Sequence, residues 1–236
     1  MKIKDLNLLK DISFLSQPGL KVVNTINAHS FNVANKDLIF SSAMRGSTYL
    51  LADGVSIVLA RKIICGDKEI KIAGADLFEY KMKALNLTGG KCFFLGSSDK
   101  VLKRIAERTK VDYPNIEVCT FSPPYVSEFT EEMTNQMITK VNRFSPDLLW
   151  VGMTAPKQEK WVFLNYKLLD VKDTIGCIGA VFDFYAGTIK RAPKWMINIG
   201  LEWFFRLVSE PKRMWRRYLI GNAVFVKYVT LELIKK

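Results

Sequence analysis

The sequence predicts an α/β fold: a mostly parallel sheet with helices on both faces, followed by a helical basic C-terminal appendage. Three observations carry this. Short apolar runs alternate with amphipathic runs between about residues 20 and 190. The apolar runs are nearly continuous, as in strands buried on both faces. Near residue 190 the alternation stops and a basic, aromatic segment begins. We therefore expect a core over residues 1–190 and an appendage over 191–236.

In chain order, the expected strands are 22–26, 49–52, 91–95, 116–121, 148–152 and 174–178. Helical periodicity lies between them, most clearly at 100–111, 128–144 and 157–168. Strands joined by helices of this length form crossovers in a parallel sheet. Ligands of such sheets bind beyond the carboxyl ends of the strands. The expected site loops are thus 27–32, Asp53-Gly54, Gly96-Ser97-Ser98, 153–158 and 180–187. The C-terminal segment reads as helix, broken around Pro211, then helix again.

A chain of 236 residues, nearly half of them apolar, is long enough to bury a full core and is not disordered. Arg206 and Lys227 interrupt the longest apolar runs before they reach the roughly 18 residues of a membrane span. Met1-Lys2-Ile3-Lys4-Asp5 alternates charged with apolar residues and does not read as a signal peptide. Cys65, Cys92, Cys119 and Cys177 are widely spaced, which points to buried thiols in a reducing compartment rather than a metal site or disulfides.

The net charge of +12 is concentrated at the end: residues 191–236 hold ten Lys/Arg against three Asp/Glu. Trp195, Trp203 and Trp215 lie in the same segment. Basic plus aromatic residues suit an anionic lipid surface, where each basic residue contributes at most roughly 1 kcal/mol. A nucleic-acid partner would explain the charge but not the tryptophans beside apolar stretches.

Three blocks are the most informative: Ala155-Pro156-Lys157-Gln158-Glu159-Lys160-Trp161, Phe182-Asp183-Phe184-Tyr185-Ala186-Gly187-Thr188, and Arg191-Ala192-Pro193-Lys194-Trp195-Met196. With Asp53-Gly54 after an apolar strand, and Ile72-Ala73-Gly74-Ala75-Asp76-Leu77, their order and spacing closely resemble the WecG/TagA/CpsF family of bacterial glycosyltransferases. The resemblance runs from about residue 22 to 222. It implies a Rossmann-like core, inverting chemistry, and no metal or other cofactor. It implies a UDP-sugar donor of the N-acetylmannosamine type and an undecaprenyl-diphosphate-linked sugar as acceptor, in surface-polysaccharide synthesis. It also implies a peripheral location on the inner face of the cytoplasmic membrane, with no nucleic-acid partner; an apolar surface open to self-association would make a homo-oligomer. A catalytically silent membrane scaffold and a nucleic-acid-binding protein are the rival readings.

Familiar phosphate motifs are absent: there is no GxGxxG after a strand, no complete P-loop and no Asp-x-Asp pair. Phosphates would then be met by arginines and backbone amides. Asp53 reads either as the N-cap of the following helix or as the general base that takes the acceptor hydroxyl proton, and one carboxylate can serve both. Thr25 and Asn27 share side-chain parity at the end of the first strand and suit contact with sugar or base. His29 is open to chemistry, substrate contact or helix-start packing.

Lys71 stands where the family usually has arginine, keeping charge but losing the bidentate fork. Asp76 is a helix-end residue or a site candidate. Gln158 offers an amide to the substrate and Lys157 a charge, with Glu159 and Lys160 expected on a solvated face and Trp161 in the core. Asp183 is either a turn residue or a polar group of the site. Arg206, Arg213 and Arg216, spaced seven and three apart, would share one face of an unbroken helix and stabilise the leaving diphosphate.

Overall fold

The computed structural model describes residues 1–235. Its centre is a six-stranded sheet of β1 (Lys21–Ile26), β2 (Tyr49–Ala52), β3 (Gly90–Gly96), β4 (Ile116–Phe121), β5 (Leu148–Gly152) and β6 (Thr174–Cys177). The spatial order is β2-β1-β6-β5-β3-β4, and all five pairings are parallel. Around it lie α1 (Ala28–Ala34), α2 (Leu38–Arg45), α3 (Val55–Cys65), α4 (Gly74–Thr88), α5 (Asp99–Asp112), α6 (Glu131–Phe144), α7 (Lys157–Asn165) and α8 (Val181–Tyr185). This is the Rossmann-like architecture expected from the alternation.

Strand parity explains why the runs read as continuous. Cys92, Phe94, Leu148 and Trp150 pack with Phe78 and Met82 of α4, Leu102 and Ile105 of α5, and Phe182 of α8. Their neighbours Phe93, Leu95, Leu149 and Val151 pack with Met137 and Val141 of α6 and Trp161 and Val162 of α7. Alternate residues thus enter two separate cores, so no position of β5 remains for a polar residue. A third cluster joins Phe31 of α1, Phe40 of α2 and Ile57 of α3 to Ile3 and Leu8 of the N-terminal arm.

Several boundaries shift for local reasons. The helix expected at 128–144 begins at Glu131, because Thr130 caps it by accepting from the Met133 amide at 3.2 Å. The helix expected at 157–168 ends as α-helix at Asn165 and tightens into a 3-10 turn over Tyr166–Leu168. The thiols are free, as expected, but Cys65 at the end of α3 is exposed rather than buried.

Buried ion pairs fix the N-terminal arm. Lys21 and Lys81, both nearly inaccessible, share the carboxylate of Asp173, Lys21 at 2.6 Å. Lys81 also donates to Leu15 O at 3.1 Å, and Arg61 to Ile3 O and Lys4 O.

After α8 the chain continues as α9 (Lys194–Asn198), α10 (Glu202–Ser209), α11 (Pro211–Trp215), a π-helical turn at Arg216–Ile220, and α12 (Gly221–Ile234). The break expected at Pro211 falls between α10 and α11, with Pro211 opening the second helix. The last helix packs against α1: the rings of Phe31 and Phe225 meet edge-on at 5.4 Å, and Asn32 Nδ2 donates to Gly221 O at 2.7 Å. Glu232 accepts from the amides of Ile3 and Lys4 at 2.7 and 2.9 Å. These contacts lay the C-terminal segment across the carboxyl end of β1, where the site is formed.

Candidate functional site

The order β2-β1-β6 brings the ends of three strands together, and their loops line a cleft of about 190 Å³. Asn27 and Ala28 come from the end of β1, Asp53 and Gly54 from β2, and Ile178, Ala180 and Val181 from β6. Lys71 and Arg191 line it as well, and Glu202, Trp203, Arg206, Arg217 and Tyr218 of the C-terminal segment cover it.

Asp53 is held by its own backbone, its amide donating to Ile26 O at 2.9 Å. The N-cap of α3 is Gly54, without a side-chain capping bond, so the expectation that Asp53 caps this helix fails. Its carboxylate is left to the cleft. Glycine at 54 permits the close approach of the two loops: a Cβ there would lie 3.3 Å from Asn27 Cβ. Burial, and next the nearby Glu202 carboxylate, push the Asp53 pKa up to about 6, against the pull of Lys71 and Arg191. An acid poised one unit below neutrality is ionised at pH 7 yet basic enough to take a proton.

Asn27 caps α1, its Oδ1 accepting from the Ser30 amide at 3.1 Å, and it lines the cleft. Thr25, two residues earlier, is half-buried and does not line the cleft. Lys71 is placed beside the strand end because Ile72 N donates to Ala52 O at 3.1 Å. Asp76 is a helix-start residue, accepting from the Ala73 amide at 2.8 Å.

The structure does not bring Gln158 into the cleft. It is buried, its Oε1 accepting from Met153 N at 3.1 Å and its Nε2 donating to Glu159 Oε1 at 2.8 Å. Glu159, expected on a solvated face, is buried too, and burial pushes its pKa up to about 7. Lys157 is also committed elsewhere: it donates to Val126 O and sits 3.6 Å above the Phe129 ring, pinning the 122–130 loop. Lys160 pairs with Asp37 at 2.9 Å, and Trp161 is in the core.

A second, wider cleft adjoins the first, with a volume of about 750 Å³. His29, Lys36, Tyr125, Asp183, Arg213 and Arg216 line it, and Arg217 lines both clefts. Burial and the Arg217 charge push the His29 pKa down to about 4, so its imidazole is neutral at pH 7. Asp183 lies within α8 rather than in a turn, half-buried, accepting from Thr188 Oγ1 at 3.1 Å and lining this cleft.

The three expected arginines do not share one face, because the break at Pro211 and the π-helical turn change the register. Arg206 covers the first cleft, 5.6 Å from the Phe184 ring, whereas Arg213 pairs with Glu210 at 2.7 Å beside the second. Arg216 lies 5.2 Å from the Trp215 ring. Sequence reasoning missed Arg217, Arg191 and Glu202. The Arg216-Arg217 doublet was the available signal for the first, since Arg217 lies three helical turns from Arg206. Arg206 Nε and Nη2 and Arg217 Nε are buried with no hydrogen-bond partner among the described residues. Such orphaned charged donors call for an anion.

A parallel α/β sheet with a carboxylate and a cationic cover at its strand ends has the layout of a ligand site for an anion. The family model "Glycosyl transferase WecG/TagA/CpsF family" matches residues 3–236, and the chain belongs to this family. It is 32% identical over 206 residues to the N-acetylglucosaminyldiphosphoundecaprenol N-acetyl-beta-D-mannosaminyltransferase of Bacillus subtilis (strain 168), covering 87% of this chain and 78% of the relative. The enzyme of the same name from Bacillus spizizenii (strain ATCC 23059 / NRRL B-14472 / W23) is 30% identical over 223 residues, covering 94% and 82%.

Proposed function

We propose that this chain transfers an N-acetylmannosamine-type sugar from a UDP-sugar to an undecaprenyl-diphosphate-linked sugar, with inversion and without a metal ion. The observation that carries this reading is the Asp53 carboxylate, free of capping and held at about 6 beneath a cationic cover. In the proposed reaction the acceptor hydroxyl oxygen attacks the anomeric carbon from the face opposite the diphosphate. The bond from that carbon to the phosphate oxygen breaks, and UDP departs with the electron pair. Asp53 takes the hydroxyl proton.

Arg206 and Arg217 offer unpartnered donors to the charge that grows on UDP, with Arg213 and Arg216 extending the field over the second cleft. The Asn27 amide nitrogen orients a sugar, and neutral His29 offers a hydrogen bond in the second cleft. Thr25 and Gln158 act indirectly, Gln158 by fixing the Met153 loop. Among the described residues no three His, Cys, Asp or Glu side chains converge as a metal site; the support for phosphate neutralisation by the protein's own cations is the unpartnered Arg206 and Arg217 donors.

The acceptor's lipid calls for a membrane surface. No helix among the described residues is long and apolar enough to cross a membrane. Trp195, Ile199, Phe204, Val208 and Trp215 are exposed on the basic 191–236 segment, which we propose as a peripheral anchor appended to the 1–190 core, on the inner leaflet. The test is UDP release with a panel of UDP-sugars and a short-chain diphosphate-linked acceptor, in chelator. Release that depends on acceptor and survives chelator supports the proposal; release abolished by chelator contradicts its metal-free part. Lipid binding without UDP release from any donor would favour a scaffold.

A further inference from the structure

Two cations of the first cleft meet one carboxylate. Glu202 Oε2 lies 3.4 Å from Lys71 Nζ, and its Oε1 lies 3.3 Å from Arg191 Nε. The three residues come from distant parts of the chain: Lys71 from the α3–α4 link, Arg191 from the α8–α9 link, and Glu202 from the first turn of α10. All three line the cleft, and both cations and the carboxylate act electrostatically on Asp53.

Both contacts are longer than the roughly 2.7–2.9 Å of a tight charge-assisted bond. Other pairs of the chain close further, as Lys160–Asp37 does at 2.9 Å, although Arg61–Glu69 also stays at 3.3 Å. Glu202 is therefore held by one cation on each carboxylate oxygen, without a tight bond to either. With Glu202 in place the cleft measures about 190 Å³. That is below the roughly 300–1,000 Å³ of a typical small-molecule site.

We infer that Lys71 and Arg191 form a binding site for a substrate diphosphate, and that Glu202 is its built-in occupant, displaced when that diphosphate enters. Displacement frees the start of α10, so the helix that carries Arg206 can shift outward and enlarge the cleft. The device also keeps the two cations from capturing stray anions weakly, since any ligand must outcompete a tethered carboxylate. The identity of the ligand as a diphosphate rests on the transferase proposal; the anion site and its occupant rest on the ion-pair geometry alone.

The experiment titrates inorganic pyrophosphate into the full chain by calorimetry, comparing wild type with Glu202→Gln. Loss of the competing carboxylate is expected to tighten binding by roughly twofold to fivefold. The gain should vanish when Lys71→Met and Arg191→Met are added. Unchanged or weaker binding in a folded Glu202→Gln protein overturns the inference, as does a gain that survives removal of both cations.

Should Glu202→Gln fail to fold, Glu202→Asp keeps the charge but shortens the reach, and a smaller gain is expected by the same logic. Parallel titrations with UDP and with farnesyl diphosphate assign the site to donor or acceptor, according to which ligand gains. Tighter pyrophosphate binding in a chain that releases no UDP would retain the anion site while removing the transferase proposal.

Discussion

Asp53 gives the sharpest pH prediction. Its pKa of about 6 makes it ionised in about nine molecules in ten at pH 7 and about one in ten at pH 5. If only the carboxylate accepts the hydroxyl proton, kcat/KM for acceptor-dependent UDP release rises about tenfold from pH 5 to pH 7 and then levels. The charged groups acting on Asp53 are Glu202 and Asp76, which raise its pKa, and Lys71 and Arg191, which lower it; Arg217 also faces it. Glu202→Gln removes the largest neighbouring negative charge, so the acid limb should move to lower pH.

Two other groups must be separated from Asp53. His29, near 4, is neutral throughout this range and contributes no limb. Glu159, near 7, titrates within it, so Glu159→Gln is the control and should leave a limb near pH 6. The assay is initial-rate UDP release between pH 5 and 8.5 at constant ionic strength. A flat profile, or a limb unmoved by Glu202→Gln and lost with Glu159→Gln, would refute the assignment of the base.

Three further outcomes follow from the same structure. The Asp53 pKa is raised on folding from about 3.8, so the folded state holds this proton more tightly and loses stability as pH rises through about 6. Asp53→Asn should therefore stabilise the fold at pH 7.5 by about 1–3 kcal/mol, discounted for partial solvation, and by nothing near pH 4; urea unfolding at both values checks this. Asp173→Asn removes the shared counter-charge of the buried Lys21 and Lys81 ammonium groups, which keep only their carbonyl acceptors, and should destabilise by about 1–3 kcal/mol, lowering the melting temperature. Lys157→Met removes the cation held over Phe129 and donated to Val126 O, and should speed hydrogen exchange over residues 122–130 while leaving α7 protected.

The sheet was legible because both faces of β3 and β5 are buried, which makes their runs apolar without interruption. The strand-end rule then located Asn27, Asp53 and the loop after β6 at one cleft. The C-terminal cover was less legible. Pro211 was visible as a break, but nothing in the spacing of Arg206, Arg213 and Arg216 announces the π-helical turn that sends Arg217 inward instead of Arg216.

The block around Gln158 was the least legible. Glu159 was expected on a solvated face but is buried, because the adjoining Gln158 amide donates to its carboxylate. Lys157 and Gln158 lie in the block most telling for the family, yet both serve to hold loops rather than to line the first cleft. Glu202 escaped notice because its role exists only once the chain brings Lys71 and Arg191 together across more than a hundred residues.

The most direct test of the proposed chemistry is acceptor-dependent UDP release by wild type and Asp53→Asn at pH 7.5, with equal folding verified for both. Removal of a general base predicts a loss of about 100-fold to 10,000-fold in kcat with UDP-sugar binding retained. An Asp53→Asn enzyme that turns over within a few fold of wild type would contradict it.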